Sequence, residues 1–251
     1  MKSFTKVISF LLPLLTVLAI FLIWEVASAV IGSEYILPSL GQTLTSLLNL
    51  FKQAEFYKSL GFTILRSLIS FILSFVLGFI FAFLSSKSKV ARGIVNPLMS
   101  IIRALPTIAI ILLLLFWTNS KIAPIIVTML VVLPTSYTHL YSAFDGVDKT
   151  AVEAGRVDGA NEKQVFSFLV FPQIAPAFYS AIGSGISLNF KLMVAAEVLA
   201  QTANSIGYML NTSKVYFEIS QMMALVLVSV AVGVIVELIF TKISLKTGDW
   251  K

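Results

Sequence analysis

The side chains that could do chemistry in this chain are few, and they lie within long apolar runs. Arg103, Lys191 and Glu197 each interrupt such a run, and a charge at membrane depth must face protein or water. Two cations, together with a small hydroxyl residue such as Ser184, could line a path or gate for an anion. The alternative is structural, with the cations reaching an interface and Ser184 permitting close helix packing. We predict these four residues as candidates for a translocation path and keep both interpretations open.

The remaining residues do not favour an enzyme. The chain has no cysteine and a single histidine, His139, which excludes thiolate and His-rich metal sites. None of its glycines is followed by lysine, so a Gly-rich phosphate loop ending in Gly-Lys is absent from the sequence. We predict no catalytic residue, no metal and no cofactor bound by this chain.

The composition is that of a membrane protein. Hydrophobic residues make up 58% of the 251 residues and charged residues 12%, whereas soluble domains have about 45–50% and about 25%. An ordinary soluble enzyme and a disordered chain are both excluded. The net charge of +6 does not indicate nucleic-acid binding, because the basic residues are sparse and lie between apolar runs.

Six apolar runs are long enough to cross a bilayer as helices, which needs about 20 residues each. Continuous runs favour helices over the alternating strands of an outer-membrane barrel. The sequence therefore predicts an all-α membrane protein with a single domain over residues 1–251. The predicted spans are 7–31, 60–84, 94–118, 122–144, 174–200 and 220–241.

The loops between these runs predict the orientation. Lys52, Lys58, Lys121 and Lys214 are the only basic residues on one side, whereas the other side carries most of the Lys and Arg residues. Because basic loops stay in the cytoplasm, we expect both termini to be cytoplasmic. The first run resembles a signal peptide, but its length and Glu25 favour a retained span.

Three shorter features connect the spans. Leucines at helical spacing follow Pro38 and predict an amphipathic packing helix after the first span. The linker at 119–121 is so short that the third and fourth spans must form a tight hairpin. Pro106 and Pro134 lie inside these two spans and predict kinks.

The most polar part of the chain is residues 145–172, which we call the knob. Asp148 is placed to cap a short helix, and Gly159 to end it in a left-handed conformation. Asn161 and Gln164 have the spacing of a capping box for a second helix, and Pro172 is expected to break that helix. About 28 residues are far more than a connection requires, which indicates a functional segment.

The knob resembles the signature segment of the membrane permease subunits of bacterial ABC importers. Glu153-Ala154-Gly155 is followed after three residues by Gly159, and nine more residues lead to Leu169 and Pro172. The sequence departs from the family pattern at Gly155, Asp158 and Phe171. Other segments are similar to the nitrate/sulfonate/taurine branch, which includes permeases for thiamine precursors and riboflavin: ILPSLGQTLTSLL, IIRALPTIAIILLLLFW, VAAEVLAQTANSIGYML and Trp250.

The resemblance implies a type I importer permease with six transmembrane helices in the bacterial inner membrane. It implies a homodimer that assembles with two cytoplasmic ABC ATPase subunits, which bind ATP-Mg, and with an external substrate-binding protein. The solute would be a sulfonate- or nitrate-like anion or a vitamin precursor. The knob would be the coupling segment that docks on the ATPase, through Glu153, Ala154, Gly155, Arg156, Asp158 and Gly159.

Two other functions compete with this interpretation. A self-sufficient secondary carrier or channel would need a coupling-ion site within the spans, where carboxylates are few and lie near the ends. An intramembrane enzyme would need a metal motif or a nucleophile–base pair. An adjacent ATPase gene would favour the importer.

Overall fold

The computed structural model describes the backbone of residues 2–248 and the side chains of residues 12 and 15–246. Trp250 lies outside the described residues. Every regular element in the described part is helical, as the sequence predicts. The helices are α1 (Lys2–Ile31), α2 (Leu40–Leu50), α3 (Ala54–Lys87), α4 (Lys89–Ala104), α5 (Thr107–Trp117), α6 (Ala123–Asp145), α7 (Lys149–Val157), α8 (Glu162–Gln164), a π-helical segment (Val165–Val170), α9 (Phe171–Ala200), α10 (Ile206–Val215) and α11 (Ile219–Gly248).

Four helical stretches are long and apolar enough to cross a membrane: α3, α6, the continuous stretch Glu162–Ala200, and α11. The pair α4 and α5 passes the same test only if it is counted as one broken span, and α1 contributes the apolar stretch Leu15–Ile31. Each of the six predicted runs therefore falls on a helix or on this broken pair. The number of crossings stays a prediction.

The third predicted span is not a continuous helix. It divides at Leu105 and Pro106, where α4 and α5 are bent by 91°. Leu105 has an extended backbone, with φ −68° and ψ 129°. A proline disfavours the helical conformation of the residue before it, so the kink predicted at Pro106 becomes a break. By contrast, α6 continues as one helix through Pro134.

The core lies where α3, α6 and α9 pack together. One apolar cluster joins the knob-side halves of these helices and is rich in phenylalanine, including Phe71, Phe75 and Phe144. A second cluster contains the fully buried Leu50 of α2 with residues of α9, α10 and α11. The amphipathic packing helix predicted after the first span is thus confirmed as α2.

The first helix is held to α2 by polar contacts. The indole N–H of Trp24 donates to the carbonyl of Pro38 at 2.9 Å, and Ser28 Oγ donates to the carbonyl of Leu37 at 3.0 Å. Glu25 Oε2 accepts from the backbone N–H of Leu40 at 3.0 Å. Glu25 therefore satisfies a free N–H in the first turn of α2, where a negative charge is also favoured by the helix dipole.

Candidate functional site

The knob folds as its capping residues predict. Asp148 accepts from the backbone N–H groups of Thr150 and Ala151 at 2.9 and 3.3 Å, which begins α7. Gly159 has φ +89°, a left-handed conformation that suits glycine just after a helix. Asn161 and Gln164 form a reciprocal capping box, with both bonds at 2.9 Å. These three predictions are confirmed.

The expected break at Pro172 is wrong. The helix that begins at Glu162 passes through the π-helical segment Val165–Val170 into α9 without interruption. The N–H of Phe171 bonds to the carbonyl of Phe166, five residues back. Pro172 then stands at the start of the next α-helical segment, where the absence of its N–H costs little. Gln173 satisfies the carbonyl of Leu169 at 2.8 Å through its side-chain amide.

Two contacts fix α7 against the long helix. The Gln173 side-chain oxygen accepts from the N–H of Asp148 at 2.9 Å. Gly155 faces Leu169 so closely that a Cβ atom would collide with the Leu169 Cδ1 atom. An alanine at this position would require the end of the Leu169 side chain to shift.

The helix α7 has two different faces. Val152, Glu153 and Arg156 line a cavity between α7 and the knob-side ends of α3 and α6. Arg156 also forms an exposed ion pair with Glu162 at 2.9 Å. The opposite face carries Ala154, Val157 and Asp158, all of which are exposed. Of the six predicted coupling residues, Glu153 and Arg156 line this cavity while also being exposed, and the other four do not line it.

Sequence reasoning missed two exposed apolar side chains on the knob. Val157 is 87% exposed and Phe168 is 74% exposed. Phe168 lines a shallow groove together with Gly155, Asp158 and Gly159. Of the two exposed side chains, Phe168 lines this groove and Val157 does not, and Phe168 gives the groove an exposed apolar wall. The signal that could have found Val157 is its position one turn after Ala154, on the face opposite Val152.

The structure places Glu197 in a buried polar cluster at the far end of α9. Glu197 is fully buried, and its Oε1 atom lies 2.7 Å from Arg66 Nη1 of α3. Its Oε2 accepts from Thr63 Oγ1 at 2.8 Å and from the N–H of Gly207 at 3.4 Å. Arg66 also donates to the carbonyls of Ala203 and Asn204, at 3.3 and 3.4 Å from its nearest guanidinium nitrogens. The cluster thus joins α3, α9 and the segment that leads into α10.

Uncharged polar residues continue this connection between the central helices. Asn189 of α9 donates to the carbonyl of Ser67 at 2.7 Å and accepts from Ser70 Oγ at 2.8 Å. Ser70 Oγ and Thr128 Oγ1 of α6 are 2.6 Å apart. All four side chains are buried. In an apolar environment such satisfied polar contacts fix which helix faces meet.

The other predicted path residues do not join Glu197. Arg103 is exposed and donates to Thr138 Oγ1 at 2.9 Å. Lys191 is exposed on α9, and Ser184 donates to the carbonyl of Ser180 one turn earlier. Among the described residues no hydrogen bond or ion pair links Arg103, Lys191 or Ser184 to Glu197. The four residues therefore do not form one site within a single subunit.

The fold is that of a multi-span membrane protein with a knob between two of its helices. The chain belongs to the family described as binding-protein-dependent transport system inner membrane component, whose model matches residues 74–247. The match covers α4 to α10 completely, together with the knob. The chain is therefore the membrane-spanning subunit of an ABC importer, as the resemblance implied.

Individual relatives support the same branch. The taurine transport system permease protein TauC of Escherichia coli (strain K12) is 23% identical over 236 residues, which is 90% of this chain and 84% of the relative. The putative aliphatic sulfonates transport permease protein SsuC of Bacillus subtilis (strain 168) is 22% identical over 231 residues, 91% of this chain and 83% of the relative. The resemblance to the sulfonate and taurine permeases is thus confirmed.

A solved structure supports the fold. A bacterial alginate ABC transporter, crystallised with its pentasaccharide-bound periplasmic protein, contains a chain similar to this one with a TM-score of 0.66. The two chains are 15% identical, and the similarity covers 97% of this chain and 95% of the other. The type I importer permease fold predicted from the sequence is therefore confirmed.

Proposed function

We propose that two copies of this chain form the solute path of an importer driven by two separate cytoplasmic ATP-binding subunits. An external binding protein would deliver the solute, and the ATP-binding subunits would hold ATP and Mg²⁺, so this chain needs no cofactor of its own. Both termini and the knob would lie in the cytoplasm, in agreement with the distribution of Lys and Arg residues. The observation that carries the proposal is the exposed apolar pair Val157 and Phe168 on the knob.

Docking through this pair agrees with what partner surfaces usually contain. Contact sites concentrate their binding energy in a few central apolar or aromatic side chains. Ala154 and Gly159 are small, exposed residues of the knob and leave room for a partner backbone. Asp158 adds a carboxylate that could accept a charge-assisted hydrogen bond from the ATPase. ATP-driven closure of the two ATPase subunits would then draw the two knobs together and switch the path between inward-open and outward-open states.

Charged substitutions of the pair should release the ATPase. We expect Val157→Asp and Phe168→Asp each to weaken capture of the co-expressed ATP-binding subunit by about tenfold or more, because loss of a contact hot spot costs about 2 kcal/mol or more. The measurement is a pull-down of the ATPase with tagged permease, followed by ATP turnover in lipid vesicles. Val90→Asp is the matched control, since Val90 is 74% exposed but lies at the start of α4, outside the knob.

Two outcomes of the pull-down would contradict the proposal. If the wild-type permease never retains the ATPase, a self-sufficient carrier becomes the better interpretation. If all three variants retain it equally, docking occurs elsewhere on the chain. Release by Val157→Asp and Phe168→Asp, but not by Val90→Asp, would support coupling through the knob.

We further propose that the solute is a small anion such as a sulfonate, and that Arg103 contributes to its path. The relatives named for taurine and aliphatic sulfonates support a solute that carries a sulfonate group. Arg103 is exposed on α4 beside the break at Pro106, and Thr138 holds its guanidinium in place. Glu197 and Arg66 would hold the outer end of the path together, whereas Lys191 and Ser184 would face it in the dimer.

Neutralising Arg103 should reduce uptake more than replacing it by another cation. In vesicles that contain the complete importer, we expect Arg103→Gln to lower taurine uptake at least about tenfold and Arg103→Lys to lower it less, since a lysine keeps the charge but not the fixed geometry. Binding of the ATPase should stay at the wild-type level in both variants. Equal uptake by Arg103→Gln and wild type would place the anion path elsewhere.

A further inference from the structure

A cavity beneath α7 has the size and lining of a ligand pocket. Its volume is about 530 Å³, and it opens between the knob and the ends of α3 and α6. The interior is apolar and largely aromatic, formed by Phe79, Phe83, Phe144, Val147, Phe166 and Val170. Ligand pockets are typically apolar cavities of about 300–1,000 Å³ with a few polar groups.

The lining of this cavity contains more basic than acidic side chains. Five charged residues contribute to the lining: Lys87, Lys149, Glu153, Arg156 and Glu162. Arg156 and Glu162 neutralise each other as an ion pair at 2.9 Å. Among the described residues neither lysine forms an ion pair, and Lys87 Nζ lies over the ring of Phe83 at 5.7 Å. Arg156 and, to a lesser extent, Lys87 lower the pKa of Glu162, so the lining carries three basic and two acidic side chains beside an aromatic interior.

The cavity lies at the knob-side ends of the membrane helices α3 and α6. Lys87 is the last residue of α3, and α6 ends at Asp145. With the proposed orientation these helix ends lie at the inner surface of the bilayer, where phospholipid phosphates are found. Basic pockets between membrane helices on this side are suited to anionic lipid headgroups.

We propose that this cavity binds an anionic phospholipid. One acyl chain would occupy the phenylalanine-lined interior, and the phosphate would pair with Lys87 and Lys149. The lipid would fill the space between α7 and the membrane helices, so that the position of the knob depends on its presence. This inference rests on the proposed orientation, but not on the solute or on the docking face around Val157.

The test is lipid binding to the purified full-length permease, measured by native mass spectrometry after delipidation. The probes are palmitoyl-oleoyl phosphatidylglycerol, phosphatidylcholine with the same chains, and glycerol phosphate, which has no acyl chain. The double variant Lys87→Gln/Lys149→Gln removes the two lysines of the cavity. The matched control Lys89→Gln/Lys163→Gln removes two lysines that do not line it. Val152→Trp fills the cavity from α7.

We expect phosphatidylglycerol to bind the wild type about tenfold more tightly than phosphatidylcholine. The cavity double variant should lose most of this preference, the control should keep it, and Val152→Trp should weaken binding of both lipids. A preference that survives Lys87→Gln/Lys149→Gln, or that the control loses equally, would overturn the proposal. So would unchanged lipid binding by Val152→Trp, or competition by glycerol phosphate as effective as that of the lipid. The ATPase pull-down reports separately on whether the knob is cytoplasmic.

Discussion

Replacing Glu197 with alanine is expected to lower the melting temperature of the permease by an amount on the order of 10 °C. The substitution leaves the Arg66 guanidinium buried without a counter-charge, and such a loss costs about 3–5 kcal/mol. It also removes the acceptor for Thr63 and for the backbone N–H of Gly207. The measurement is thermal unfolding of the purified permease in detergent, followed by fluorescence.

Two further variants separate the charge from the hydrogen bonds. Glu197→Gln keeps an acceptor for Thr63 but not the charge, so we expect an intermediate loss. Lys191→Ala removes an exposed charge from the same helix and should leave the melting temperature within about 2 °C of the wild type. A Glu197→Ala variant as stable as Lys191→Ala would mean that the ion pair does not hold α3, α9 and the segment before α10 together.

Adding one methyl group at Gly207 is expected to destabilise the same region. A Cβ atom there would collide with Glu197 Cβ and would lie 2.6 Å from the backbone nitrogen of Val198. Because a backbone atom cannot rotate away, α10 must move, and overpacking of this kind costs about 1–3 kcal/mol. Gly207→Ala should therefore lower the melting temperature and reduce transport, with little effect on ATPase capture.

Gly61 provides the matched control. It lies in α3 on the exposed surface, and a Cβ atom there would meet nothing within 4 Å. Since alanine favours the helix over glycine by about 1 kcal/mol, Gly61→Ala should be neutral or stabilising. If both alanine variants melt alike, the close approach of α10 to α9 does not constrain the fold.

The parts of the molecule that sequence predicts well are those set by neighbouring residues. Asp148, Gly159 and the Asn161–Gln164 pair act over three or four positions, so their caps follow from spacing alone. The apolar runs likewise follow from local composition. The sequence predicts the position of the bend at Pro106 but not its angle. The angle depends on how α4 and α5 pack against the rest of the bundle.

The ion pair of Arg66 and Glu197 could not be predicted in the same way. The two residues are 131 positions apart, and only the packing of α3 against α9 brings them together. The two faces of α7 could not be predicted either, because the sequence does not show which side of this helix packs against the membrane helices. The break expected at Pro172 is wrong because a π-helical segment precedes this proline. That segment removes the conflict that a proline normally causes within a helix.

The continuous stretch Glu162–Ala200 has a mechanical consequence. It runs without a loop from the knob to the ion pair of Glu197, and α9 alone, with 30 residues, is about 45 Å long. Tilting a helix of that length by about 5° at the π-helical segment displaces its far end by about 4 Å. The knob and the Glu197 cluster are therefore joined by one continuous helical stretch, so a tilt at one end displaces the other.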